Sequence, residues 1–175
     1  VDELARLVPH VIVTHPLAPR DNLALYRLLG GIFGRAGGAE TLCAEFERAY
    51  AETRAACAGL PRRNVLYLIW RKPWMTVSRD TYISRTLALV SWDTLPADAP
   101  ARYPEMELDA AMMADANHVL LSSEPYRFRE RDICVVQKLL PKNAHCSVHL
   151  IDGEMTSWYG SRAINALRGL GRLRA

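Results

Sequence analysis

The spacing of apolar positions changes character twice along the chain. Val8–Thr14 (VPHVIVT) is a β-branched run that stops at His15-Pro16, which predicts a short strand and a turn. Asp21 can cap a helix that starts at Asn22 and carries Leu23, Tyr26 and Leu29 on one face. Gly30-Gly31 and Gly37-Gly38 interrupt the pattern. The longest periodic segment then runs from Ala39 to Ala58, with Leu42, Phe46, Ala49, Tyr50, Thr53 and Cys57 at 3-4 spacing. Glu40, Glu45, Glu47, Arg48, Glu52 and Arg54 fill most of the opposite face. Such a helix is a rod of about 28 Å, long enough to run the height of a small domain.

Gly59-Leu60-Pro61 ends that regime, and strands then alternate with helices. Asn64–Trp70 (NVLYLIW) has the continuous apolar character of a strand buried on both faces. Asp80–Val90 reads as a helix with Tyr82 or Ile83, Leu87 and Val90 inward, and Ala97–Pro104 as a proline-rich loop. Leu108–Ala114 is helical and His118–Ser122 a second strand. Arg129–Leu140 is a helix bearing Ile133, Val136, Leu139 and Leu140. Ser147–Asp152 is a third strand and Ser161–Leu173 the closing helix. The β-α-α-β-α-β-α order implies an α/β fold, a three-layer Rossmann-like lobe with a parallel sheet and right-handed crossovers.

Composition narrows the function classes. Half of the 175 residues are apolar and 23% are charged, which excludes disordered and collagen-like chains. The longest apolar runs, Val65–Trp70 among them, fall far short of the roughly 18 residues that span a bilayer, so the chain is not itself membrane-spanning. The net charge of +3 is too small and too dispersed for a nucleic-acid footprint. It divides as −1 over residues 1–61, +4 over 62–104 and zero over 105–175. Cys43, Cys57, Cys134 and Cys146 show neither a CxxC pair nor zinc-ligand spacing. Cys43 and Cys57 lie on one helix roughly 21 Å apart, too far to bridge, so buried inert thiols are expected and no thiol-based metal site. The opening Val-Asp-Glu-Leu-Ala-Arg reads as the middle of a helix, without the basic and apolar regions of a leader. The chain is therefore expected to begin inside a longer protein.

In an open α/β sheet, ligands sit beyond the carboxyl ends of the strands. The three stretches there are Trp70–Arg79, Ser122–Phe128 and Asp152–Arg162, and they hold three of the four tryptophans with several arginines. Flat rings beside guanidinium groups suit a bulky, partly planar, often anionic ligand, through stacking area and bidentate hydrogen bonds. Trp70, directly at a strand end, is favoured as a lid on the core. Trp74 and Trp158, in polar loops, read equally as packing and as ligand platforms. Arg71 and Lys72 read as solvated or ligand-facing.

Catalytic signatures fail on inspection. No GxGxxG follows a strand, and neither a Walker loop nor a GxSxG elbow occurs. Asp152 and Glu154 are too close along one loop to argue for paired acid–base carboxylates. His145 and His149 have metal-like spacing, but His149 falls within a strand and no further ligand cluster is nearby. His10, His15 and His118 are isolated.

The passages VLYLIWRKPWMTVSRDTYI, RYPEMELDAAMMADANHVLLSSEPYRF and IDGEMTSWYGSRA resemble the carboxyl-terminal lobe of the helical-backbone (class III) substrate-binding proteins of ABC importers. That family serves ferric siderophores, haem and cobalamin, and the resemblance extends over roughly Val8 to Leu170. It implies two α/β lobes joined by a rigid helix, with ligand in the cleft between them. Residues 39–61 would be the backbone helix, 62–175 the carboxyl-terminal lobe, and 1–38 a remnant of the amino-terminal lobe, about a hundred residues of which have no counterpart. By resemblance, Trp74, Met75 and Arg79 face the ligand from the first loop, and Tyr103, before Pro104, stacks at the lobe edge. Trp158, Tyr159 and Arg162 come from the last loop, and Ser123 and Glu124 are placed by loop position. Asp109, with Glu107 next, resembles the acid through which such a lobe docks on its permease.

The resemblance implies a periplasmic solute-binding component without catalysis and without an intrinsic cofactor, its metal chelate being cargo. Its partners would be ABC permease subunits and one bulky small molecule. A cytoplasmic relative that carries a corrinoid or metal chelate without a transporter stays open, because four unpaired cysteines fit an oxidising compartment poorly. So does a small α/β enzyme with a nucleotide-like substrate at the same strand ends.

Overall fold

A computed structural model describes residues 2–142 and 144–174. Its helices are α1 (Asp2–Ala5), α2 (Asp21–Ile32), α3 (Ala36–Ala56), α4 (Tyr82–Ala88), α5 (Ala110–Asp115), α6 (Glu130–Gln137), α7 (Glu154–Ser157) and α8 (Arg162–Arg174). Its strands are β1 (Arg63–Leu68), β2 (Trp74–Met75), β3 (Trp92–Thr94), β4 (Glu105–Met106), β5 (His118–Ser122) and β6 (Ser147–Ile151). The main sheet has the order β3-β1-β5-β6, all parallel, and β2 pairs with β4 in a separate antiparallel ribbon. The α/β fold with its parallel sheet and long preceding helix is the one the patterning implied.

Each face of the sheet buries its own cluster, because successive side chains of a strand point to opposite sides. Val65, Tyr67, Leu120 and Ile151 pack with Ile83 and Leu87 of α4 and Leu170 of α8. Leu66, Leu68, Val119, Leu121 and Val148 pack with Met113 of α5 and Val136 of α6 on the other face. Helix α8 has a second apolar side, on which Ala163, Ile164 and Leu167 meet Phe46, Ala49 and Cys43 of α3 and Tyr26 of α2. So α8 lies between the sheet and α3, and α2 joins the same cluster. Gly171 lies so close to Thr53 that an added Cβ would stand 3.5 Å from its Cα.

Several expectations change. Val8–Thr14 is not a strand: β3 occupies the outer edge of β1, Pro9 has no N–H to donate, and Ile12 and Val13 are left exposed. Gly37-Gly38 does not interrupt helix α3, which takes in both residues. Two pieces of sheet are added, the three-residue edge strand β3 and the β2/β4 ribbon, both too short for a period to register. Within the stretch read as the last loop, Glu154–Ser157 forms a helical turn. Helices α4 and α6 stop short of the predicted limits; Leu139 is exposed beyond the end of α6.

Candidate functional site

The loops after β5 and β6 are knitted together at the carboxyl edge of the sheet. Beneath them Tyr67, fully buried on β1, donates to Ser122 Oγ at 2.9 Å and meets Thr156 Oγ1 at 2.5 Å. Burial pushes its phenol up to about 12, so it remains a neutral hydrogen-bonding group across the working pH range. Ser122 Oγ donates onward to the Glu124 carbonyl at 2.7 Å. Gly153 sits in the angle between the loops, where a Cβ would stand 2.5 Å from both Ser122 Oγ and Glu124 Cγ. Only glycine allows this approach. Its N–H donates to Ser123 Oγ at 2.9 Å, and Asp152 Oδ1 accepts from Glu154 N at 3.0 Å.

Glu124 extends this network to the surface. Its Oε1 accepts from Ser157 Oγ at 2.7 Å and from Trp158 Nε1 at 2.6 Å. The Arg162 guanidinium carbon stands 4.4 Å from the Trp158 ring centroid, and the same guanidinium pairs with Glu154. Trp158 remains 41% exposed, so its indole is fixed by a hydrogen bond at its edge and a cation on its ring while keeping area for a ligand. Beside it lies a hollow of about 300 Å³ lined by Asp152, Glu154, Met155, Arg162 and Asn165. Tyr159 is exposed and meets Tyr82 edge-on at 6.0 Å; Gly160 follows in the left-handed region at φ 79°. Asn22 clasps that turn from α2: its Oδ1 accepts from Gly160 N at 2.6 Å, and its Nδ2 donates to Tyr82 Oη at 3.0 Å.

A second aromatic group stands at the ends of β1 and β5. Trp74 stacks on Phe128 with an interplanar angle of 2°, Tyr126 meets Phe128 at 4.7 Å, and exposed Trp70 packs edge-on against Tyr126. Arg71 stands over Trp74 at 5.7 Å and donates to Asp132 Oδ1 at 2.5 Å. Asp132 is wholly buried, and its other oxygen accepts from Arg129 N at 2.9 Å. Trp74 therefore contributes packing, with its ring half-buried, and Trp70, expected to lie over the core, keeps 39% of its surface exposed. Met75 is half-buried against the sheet cluster containing Tyr67.

The remaining predicted positions spread along the same edge. Arg79 donates to the Thr94 carbonyl at the end of β3 at 3.2 Å and borders a hollow of about 400 Å³ with Ser78, Asp80 and Asp98. Tyr103 is exposed just before β4, and Glu107 is exposed just after it. Asp109 caps α5, accepting from Met112 N at 2.7 Å. The structure thus unites Ser123, Glu124, Trp158 and Arg162 in one bonded group and leaves Trp74, Met75, Arg79 and Tyr103 as a looser row. The residues that sequence reasoning missed are Ser157, Asp132 and Asn22, which orient the exposed ones. Only Asp132 left a signal, an acid three residues into a helix after a basic loop.

Among the described residues no group of three or more His, Cys, Asp or Glu is placed to hold a metal ion, and no helix is long and apolar enough to cross a membrane. All four cysteines are free.

No protein-family model and no curated protein matches the sequence. Solved structures do match the fold. The periplasmic vitamin B12 binding protein BtuF of Vibrio cholerae superposes with a TM-score of 0.76 at 13% identity, over 99% of this chain and 69% of that one. The periplasmic heme-binding protein RhuT from Roseiflexus sp. RS-1 gives 0.77 at 17% identity, over 99% and 69%. A possible iron-binding, periplasmic solute-binding protein from Staphylococcus epidermidis gives 0.75 at 14%, over 98% and 68%. At these identities the likeness is one of fold, and the chain has the fold of the class III, helical-backbone periplasmic binding proteins.

Proposed function

We propose that this protein is the solute-binding component of an ABC importer, and that residues 62–175 form the carboxyl-terminal wall of its ligand cleft. In this reading α3 is the connecting backbone and residues 1–38 belong with the amino-terminal lobe. The observation that carries the proposal is the preorganised Glu124–Trp158–Arg162 unit at the carboxyl ends of β5 and β6, on a fold shared with binding proteins for vitamin B12, heme and iron. A ring held from two sides offers stacking area without the entropy cost of ordering it on binding.

The ligand class is a bulky metal chelate: a ferric siderophore, haem or cobalamin. Trp158, Tyr159 and Arg162 would contact it from the last loop, Ser123 and Glu124 from the middle loop, and Trp74, Met75, Arg79 and Tyr103 from the first loop and the ribbon. The chain would act by binding and release, without catalysis, in the periplasm. Delivery would use a permease that reads Asp109 or Glu107 on the exposed rim. The test is titration of the protein with cyanocobalamin, haemin and a ferric siderophore, following tryptophan fluorescence and ligand absorbance. Saturable one-to-one quenching by one chelate, weakened in Trp158→Ala, supports the reading. Absence of quenching by all three rejects it.

A further inference from the structure

Arginine beside tryptophan in the last loop suggests a receptor for anions, but the charge of Arg162 is already met. Its guanidinium, over the Trp158 ring, pairs with Glu154. Two further carboxylates belong to the same bonded group, and no cation pairs with either among the described residues. Glu124 accepts from Ser157 Oγ and Trp158 Nε1, and Asp152 from Glu154 N and Ser123 Oγ, all neutral donors. The group therefore sets three carboxylates against one guanidinium. Lys72 and Arg127, exposed on the loops after β1 and β5, do not line the hollow beside Trp158. Both bonds to the Glu124 side chain fall on Oε1, and Oε2 receives no donor among the described residues. An indole N–H lies in the plane of its ring, so Glu124 stands at the edge of Trp158 rather than over a face. A chelate broader than an indole, stacked on the exposed part of this ring, extends past that edge and meets the carboxylate. An ionised carboxylate only accepts, so the group that meets it must donate.

We propose that Glu124 sets the charge preference of the cleft, selecting metal chelates whose rim carries N–H or ammonium donors over those whose rim carries carboxylates. This rests on the solute-binding reading and adds to it the chemistry of the ligand's rim. An amide or ammonium rim donates to Oε2 and satisfies it. A carboxylate rim sets like charges together, with Asp152 and Glu154 adding to the repulsion from the neighbouring hollow. Of the chelates in that reading, amide-rimmed corrinoids and cationic hydroxamate siderophores meet this demand. Haem, with its two carboxylates, does not.

Three matched pairs of probes isolate the rim: dicyanocobinamide and dicyanocobyrinic acid, ferrioxamine B and its N-succinyl derivative, and the bis-amide of haemin with haemin itself. Each pair shares its chelating core and exchanges a donor for a carboxylate. They are titrated into the 175-residue chain, following tryptophan fluorescence and ligand absorbance. Within any pair that binds, the donor member should bind about tenfold or more tightly than its carboxylate counterpart. Glu124→Gln keeps an oxygen for Trp158 Nε1 and Ser157 Oγ and removes the charge, so the preference should shrink to within about threefold. A purely structural role for Glu124 would weaken both members alike and leave their ratio unchanged. Equal affinities in the unaltered protein, a preference for the carboxylate member, or a ratio that survives Glu124→Gln overturns the proposal while the solute-binding reading stands. Binding of no probe from any pair removes that reading, and this proposal with it.

Discussion

Trp158 Nε1 donates to Glu124 Oε1 at 2.6 Å, and this bond joins the loop after β6 to the loop after β5. Ser157 Oγ donates to the same oxygen, so one carboxylate oxygen gathers two consecutive residues of the neighbouring loop. The carboxylate acts here as an organiser of the aromatic surface, whatever it also offers a ligand.

Trp158→Phe and Trp158→Ala separate those two roles. The phenylalanine variant keeps a ring but loses the indole donor, and should cost stability by about 0.5–1.5 kcal/mol while retaining most chelate affinity. The alanine variant should weaken chelate binding by about 1–3 kcal/mol, the range for a lost aromatic anchor. Urea unfolding and ligand titration read the two effects. Equal affinity of the alanine variant and the unaltered protein would remove Trp158 from the site.

Breaking the Arg71–Asp132 pair should be the most damaging single change near the strand ends. Asp132→Ala leaves the Arg71 guanidinium partly buried beneath the ring cluster and the Arg129 N–H unpaired. The expected loss is about 3–5 kcal/mol, the range for an orphaned partner of a buried ion pair. A urea midpoint that moves by far less than this implies that water reaches the pair freely.

Asp109 has a structural duty that can be told apart from docking. Asp109→Ala should cost about 0.5–2 kcal/mol through loss of the cap on α5. Asp109→Asn keeps a capping oxygen and removes the charge, so it should preserve stability. If Asp109 also docks, the asparagine variant should bind its permease more slowly, most of all at low ionic strength. Unchanged association kinetics would leave the residue with its cap alone.

Stability should fall as the solution is acidified below neutrality, through His118. Burial holds its imidazole below the ordinary value of 6.5, and the neighbouring His149, Arg174 and Arg63 act in the same direction. The folded state therefore binds fewer protons than the unfolded one. This contribution is fully present above about 6.5 and is lost as pH falls through the lowered folded value. Asp93, held down by its hydrogen bond to Arg62, works in a separate window below 3.8. Urea midpoints between about pH 7.5 and 5 should decline, and His118→Gln should flatten the decline. An equal slope in that variant would assign the effect elsewhere.

The α3 rod is legible in the sequence because it has one strong period and one continuous buried face, and the strands at 118–122 and 147–151 because short apolar runs feed the clusters on both faces of the sheet. Val8–Thr14 misleads for the reason that β-branched residues favour a strand only where a neighbour offers a ladder. The apolar period carries Asp80 into α4, but its carboxylate accepts from Ser78 Oγ, and Thr81 is the cap that sets the first turn. At the site, composition marks Trp158 and Arg162 as unusual for a loop. Their partners are not legible, because Glu124 lies 34 residues from Trp158 and no local rule fixes a contact at that distance. Asn22 reads only as the first residue of a helix, although its side chain is wholly buried among three segments.

That clasp at Asn22 gives the molecule a built-in reporter. The Gly160 N–H has Asn22 Oδ1 as its acceptor, so its exchange with deuterated solvent requires α2 to lift from the last loop. A single amide signal thereby measures how firmly the first long helix is fastened to the loop that carries Trp158. Any ligand that tightens this loop would slow that exchange from the far side of the bond, without touching α2.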